Sequence, residues 1–189
     1  MNWHPYIPYK NTPRPADGHY LGQIASVYLN DDQTLIKRTY NLNGVTVNDS
    51  PSEYSAEFIK ERWAREYRWI NEFNGEFFMP ELIDANYDEG WTVQRYYGPD
   101  LLIQGTSQIP NVEDQVLDIY KFLKEKEVYK KNGSLSNMTH DNGRLIAFDY
   151  KWTVPRDTPG DHKELEERSI DLWLSKISLD LVPKLKALL

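Results

Sequence analysis

The sequence predicts an α+β fold in two lobes, an antiparallel sheet carrying one helix and then a mainly helical half. Three observations predict it. Short apolar runs separated by turn residues fill most of residues 20–98. One long amphipathic stretch, 55–73, interrupts them. After Gly98-Pro99-Asp100 the apolar residues recur mainly at helical spacing. A chain of 189 residues, 40% hydrophobic and 13% aromatic with 13 Tyr and 6 Trp, has enough apolar material for two small lobes.

Composition removes several function classes. A net charge of −7 leaves no excess of Lys and Arg to neutralise phosphates across a broad surface, so neither a nucleic acid nor an anionic membrane is an expected partner. With no Cys there are no disulfides, thiolate chemistry or Cys-ligated metals. Met1-Asn2-Trp3-His4-Pro5 lacks the basic and apolar segments of a signal peptide, and no run reaches membrane-spanning length. The expectation is a soluble, cytoplasmic protein.

Residues 1–19, with Pro5, Pro8, Pro13 and Pro15, read as an extended arm. The first lobe spans 20–98. Ile24, Val27 and Leu29 suggest one strand and 34–40 a second, joined by a turn at Asn30-Asp31-Asp32-Gln33. A loop over 41–54 contains a short strand at Val45-Thr46-Val47. The helix runs from Ser55, an N-cap, to Phe73, and Asn74-Gly75 stops it. Strands at 81–86 and 91–96 flank Asp88-Glu89-Gly90. In the second lobe, 99–189, Pro110-Asn111 opens a helix with Val112, Val116, Ile119, Tyr120 and Leu123 on one face. Residues 152–162 read as a loop; helices follow at 163–177, with Leu165, Ser169, Leu172, Trp173 and Lys176 as its stripe, and from Leu179 onward.

Two features carry chemistry. The first is Lys131-Asn132-Gly133-Ser134-Leu135-Ser136-Asn137 with the run Leu145–Asp149. Asp141-Asn142-Gly143 reads as a tight hairpin turn, which brings Asn137 and Asp149 to the same end of two strands. An amide oxygen beside a carboxylate suits Mg²⁺ together with phosphate and water; capped, solvated hairpin ends are the plainer alternative. The second feature is Glu66, an acid on the apolar stripe Ile59, Trp63, Glu66, Ile70, Phe73. Either the stripe drifts and Glu66 reaches water, or it meets a buried cation, for which Lys37 on the neighbouring strand is the candidate.

Taken in order, these residues resemble the protein-kinase-like superfamily, in particular its small aminoglycoside-, lipopolysaccharide- and small-molecule-kinase branches, over roughly residues 20–152. Tyr20-Leu21-Gly22-Gln23-Ile24-Ala25-Ser26-Val27 looks like a reduced glycine-rich loop, keeping Gly22 and the adenine-packing Val27. The resemblance implies that Lys37 contacts the α- and β-phosphates of ATP and that Glu66 pairs with it. It implies a hinge at 93–98, including Gln94 and Tyr96, whose backbone binds the adenine edge, and Mg²⁺ ligands at Asn137 and Asp149. The fold it implies is a minimal bilobal kinase-like one.

The departures from the family are as informative. The catalytic-loop aspartate expected five residues before Asn137 is Asn132, which accepts no proton near neutral pH. Losing a general base is worth about 10²- to 10⁴-fold in rate. The resemblance therefore implies an ATP- and Mg²⁺-binding pseudokinase or slow phosphotransferase, with a nucleotide-independent protein-interaction module as the alternative. The 40 residues after Asp149 are too few for a long activation segment and peptide-holding helices, so a small molecule or an extended partner chain is the expected substrate or partner. Other chemistries find no footing: the His residues are scattered, and neither a nucleophile elbow nor a Walker-type phosphate loop is present.

Overall fold

The computed structural model describes residues 1–6, 24–46 and 53–189. Gly22 and Val47 lie outside these residues. The chain forms a mixed α and β structure divided into two compact units, 1–67 with 81–96 and 68–80 with 97–189.

The first unit is built on β1 (Trp3–Pro5), β2 (Ala25–Asn30), β3 (Leu35–Tyr40), the small hairpin of β4 (Val45–Thr46) and β5 (Glu53–Tyr54), most of helix α1 (Ala56–Glu72), β6 (Leu82–Asn86) and β7 (Trp91–Arg95). Five strands make one antiparallel sheet in the order β1-β2-β3-β7-β6. The N-terminal arm thus supplies an edge strand at residues 3–5. Asn30 fixes the β2–β3 turn: its buried Oδ1 accepts from the amides of Thr34 and Leu35, both at 2.9 Å. Ser55 caps α1, accepting from the Phe58 amide at 3.2 Å. The core joins Ile24, Ala25 and Tyr40 of the sheet side to Ile59 and Trp63 of the helix. The Tyr40 and Trp63 rings lie 5.1 Å apart, and the Trp63 indole donates to Tyr87 O at 2.8 Å, so its one polar atom is satisfied in the interior.

The second unit contains α2 (Leu101–Gln104), α3 (Val112–Glu125), β8 (Val128–Tyr129), a 3-10 turn (Leu135–Asn137), β9 (Met138–Asp141), β10 (Arg144–Ala147), β11 (Val154–Pro155), α4 (His162–Trp173), a further 3-10 turn (Leu174–Lys176) and α5 (Leu181–Lys186). Asp100 caps α2 by accepting from the amides of Leu102 and Ile103. The β9–β10 turn is the expected one, with Asn142 and Gly143 both at positive φ (49° and 84°), as a type I′ turn requires. Phe73, Phe78, Phe122 and Tyr150 form an edge-to-face aromatic core with centroids 5.0–5.8 Å apart.

Two expectations are corrected here. Residues 152–162 are not all loop, since β11 pairs with β8. The buried stripe of α4 is Glu166, Ser169 and Ile170, while Leu165 and Leu172 face solvent. Among the described residues no helix is long and apolar enough to cross a membrane.

Candidate functional site

In the first unit, Glu66 does meet a cation, and that cation is the partly buried Arg38. Arg38 Nη1 lies 3.0 Å from Glu66 Oε1, with side-chain exposures of 16% and 2%. Lys37 does not take this role. Successive strand residues point to opposite faces, and the register places Val27, Arg38 and Thr92 side by side on one face and Tyr28, Lys37 and Val93 on the other. The Lys37 ammonium stands over Trp91, 4.7 Å from the ring centroid, and 6.0 Å from that of Trp3. Gln94, opposite Ile36, shares the Arg38 face and is buried. At the expected hinge, the amides of Arg95 and Tyr96 are already committed to Glu81 O and Thr34 O. The Tyr96 hydroxyl bonds to that of Tyr6 at 3.0 Å.

In the second unit, Asn132, Asn137 and Asp149 converge. Ser134 caps the 3-10 turn, accepting from the Ser136 amide, so the chain delivers Asn137 at the foot of β9. The Phe148 amide donates to Asn137 O at 2.9 Å, extending the hairpin by one rung. Asn137 Nδ2 donates to Asn132 O at 3.0 Å, and Asn132 Nδ2 donates to Asp149 O at 2.9 Å. Asp149 has φ 65°, a left-handed conformation that turns its side chain out of the β10 line. Asn137 and Asp149 are thus linked through Asn132 and by backbone acceptors.

Lys130 organises this cluster. The Lys130 side chain is 1% exposed, and its ammonium donates to Phe148 O at 2.8 Å, Asp149 O at 3.1 Å and Asn132 Oδ1 at 3.1 Å, with the Tyr150 ring centroid 4.3 Å away. Three acceptors and an aromatic face replace the water it has lost. Asn132 is therefore held at both ends, accepting from Lys130 and donating to Asp149 O. On the other side of the loop, buried Glu166 accepts from the Tyr120 hydroxyl at 2.6 Å and from the Lys131 amide. Burial pushes the Glu166 carboxyl above its usual range, although these hydrogen bonds and the nearby Lys130 and Lys131 charges pull it down. Burial, and then the Glu166 charge, push the Tyr120 phenol well above its ordinary value.

The Asp149 carboxylate is engaged. Its Oδ2 forms an ion pair with Lys151, with side-chain exposures of 14% for Asp149 and 7% for Lys151. As a resident Mg²⁺ site the donor set does not fit: a hard dication would have to displace a buried ammonium from one of its two expected ligands. The described residues also contain no group of three or more His, Asp or Glu able to hold a metal ion.

Arg38, Lys130, Lys151 and Glu166 frame these clusters, and the sequence alone does not single them out. For Arg38 the buried acid on the helix stripe signals a cation, but only the register, which pairs Arg38 with Val27, tells it from Lys37. For the two lysines there is no such signal, because their partners are backbone carbonyls and a carboxylate fixed by the fold of the loop. No family model matches the chain, and no curated protein matches it either.

Proposed function

We propose that the chain is a kinase-like nucleotide-binding protein whose phosphoryl transfer is absent or slow. The observation that carries the reading is the convergence of Asn132, Asn137 and Asp149 on one hydrogen-bonded turn. The strand cation paired with a helix acid supports it, with Arg38 in place of Lys37. So does the sheet order β1-β2-β3-β7-β6, with α1 entering between β3 and the β6–β7 hairpin. In this reading Asn137 and Asp149 contact the phosphates of the nucleotide. Asn132 cannot serve as general base: it is an amide, and both of its polar atoms are spent.

A thermal-shift titration with ATP tests the reading. Stabilisation should rise with ATP concentration as ligand linkage requires and shrink in Asn137→Ala. No shift at millimolar ATP would sink it. Phosphate transfer from radiolabelled ATP, followed in the native protein and in Asn132→Asp, separates dead from slow. The variant should gain about 10²- to 10⁴-fold over the native protein if the missing base is the defect.

A second reading, a nucleotide-independent interaction module, is favoured by one observation. Leu102 and Ile103 are adjacent on α2 and 45% and 48% exposed. In that case ATP gives no shift, and Leu102→Ser with Ile103→Ser leaves the fold intact while abolishing partner capture.

A further inference from the structure

We propose that Lys151 is a built-in counter-cation that replaces a divalent metal at Asp149, so that the site takes the polyphosphate of its ligand directly and without metal. This rests on the nucleotide reading above for the identity of the ligand but not for the chemistry of the site. Lys151 follows Asp149 by two residues, and the left-handed backbone at Asp149 lets the two side chains converge. Lys151 is buried and Asp149 partly so, at 7% and 14% side-chain exposure. An ammonium has three donors, and among the described residues Lys151 Nζ uses one, on Asp149 Oδ2. A buried ammonium with unspent donors favours the arrival of further acceptors, and phosphate oxygens are strong ones.

The local charge points the same way. Lys130 and Lys151 bring two positive charges to the turn against one carboxylate, Asp149, in a chain whose net charge is −7. Including Lys131 and Glu166 on the far side of the loop leaves the balance unchanged. Such a cluster attracts a polyanion and disfavours a second cation. A divalent metal would have to break a buried ion pair, shed tightly held water and leave the Lys151 ammonium without its carboxylate.

The experiment is isothermal titration of the full chain with ATP, and separately with inorganic tripolyphosphate, in EDTA and in Mg²⁺. Native protein, Lys151→Met and Lys151→Arg are compared. Electron paramagnetic resonance titration of Mn²⁺ without nucleotide is the metal arm. The expected result is native affinity within about twofold between EDTA and Mg²⁺, a loss of about tenfold or more in EDTA for Lys151→Met, and recovery in Lys151→Arg. Mn²⁺ should bind Lys151→Met about tenfold or more tighter than the native protein. Tripolyphosphate binding without ATP binding would keep this inference and overturn the nucleotide reading. Strictly Mg²⁺-dependent binding by the native protein would overturn the inference. So would equal Mn²⁺ affinity in both proteins, or failure of both polyphosphates to bind in EDTA.

Discussion

Glu66 is paired with Arg38 and not with Lys37, its neighbour in the chain. The two cations stand on opposite faces of one strand, so their removal should have different consequences. Glu66→Ala removes the carboxylate from a guanidinium that is 16% exposed, and we expect a loss of about 2–4 kcal/mol. Lys37→Ala removes cation–π contacts with Trp91 and Trp3, and we expect a loss within about 1 kcal/mol. Urea denaturation measures both. Equal losses would contradict the assignment.

The strand facing explains why this pair was only half legible in sequence. A buried acid on a helix stripe announces that a cation exists, but Lys37 and Arg38 satisfy that demand equally until register decides between them. Features fixed by local chemistry were readable: the Ser55 cap, the Asn142-Gly143 turn and the Gly75 stop at φ 90° each need only their own neighbours. The β8–β11 pair was not, because two-residue strands have no measurable period. The α4 stripe was misread for a related reason: its inward residue is Glu166, whose burial depends on Tyr120 and the Lys131 amide. At the candidate site the hairpin placed Asn137 and Asp149 together, whereas Lys130 and Lys151 act on groups that only the folded loop brings within reach.

Lys130 holds the loop through backbone carbonyls, so Lys130→Met should loosen it without creating a cavity. We expect a loss of about 2–3 kcal/mol, with three acceptors left short of a charged donor. Amide exchange at Asp149 and Tyr150 should accelerate while exchange in β2 and β3 stays the same. Unchanged protection around Asp149 would show that the ammonium is not the clamp.

Gly133 is required for space. A Cβ there would stand 2.6 Å from the Tyr120 hydroxyl oxygen, which is itself committed to Glu166. Gly133→Ala should cost about 1–3 kcal/mol by overpacking. Adding Tyr120→Phe removes the clashing oxygen, so the double variant should be more stable than the sum of the two single losses predicts. Strict additivity in denaturation would argue against the contact.

The raised pKa of Glu166 has a pH signature. A carboxyl raised in the folded state favours folding while it is protonated. Its contribution is fully present below the ordinary value of 4.5 and is lost as pH climbs through the raised value. Glu166→Gln cannot titrate. The stability of the native protein minus that of the variant should therefore fall as pH increases above 4.5 and then level off. A difference independent of pH would show that burial does not dominate at this carboxyl.

We expect the chain to bind a nucleotide at the Asn137–Asp149 turn. Calorimetric titration of the full chain with ATP, repeated on Asn137→Ala, measures it. One saturable site per native chain is expected, with dissociation constant at or below about 1 mM and at least tenfold weaker binding in the variant. Absence of saturable heat in the native protein, or binding that Asn137→Ala leaves untouched, would overturn the proposal.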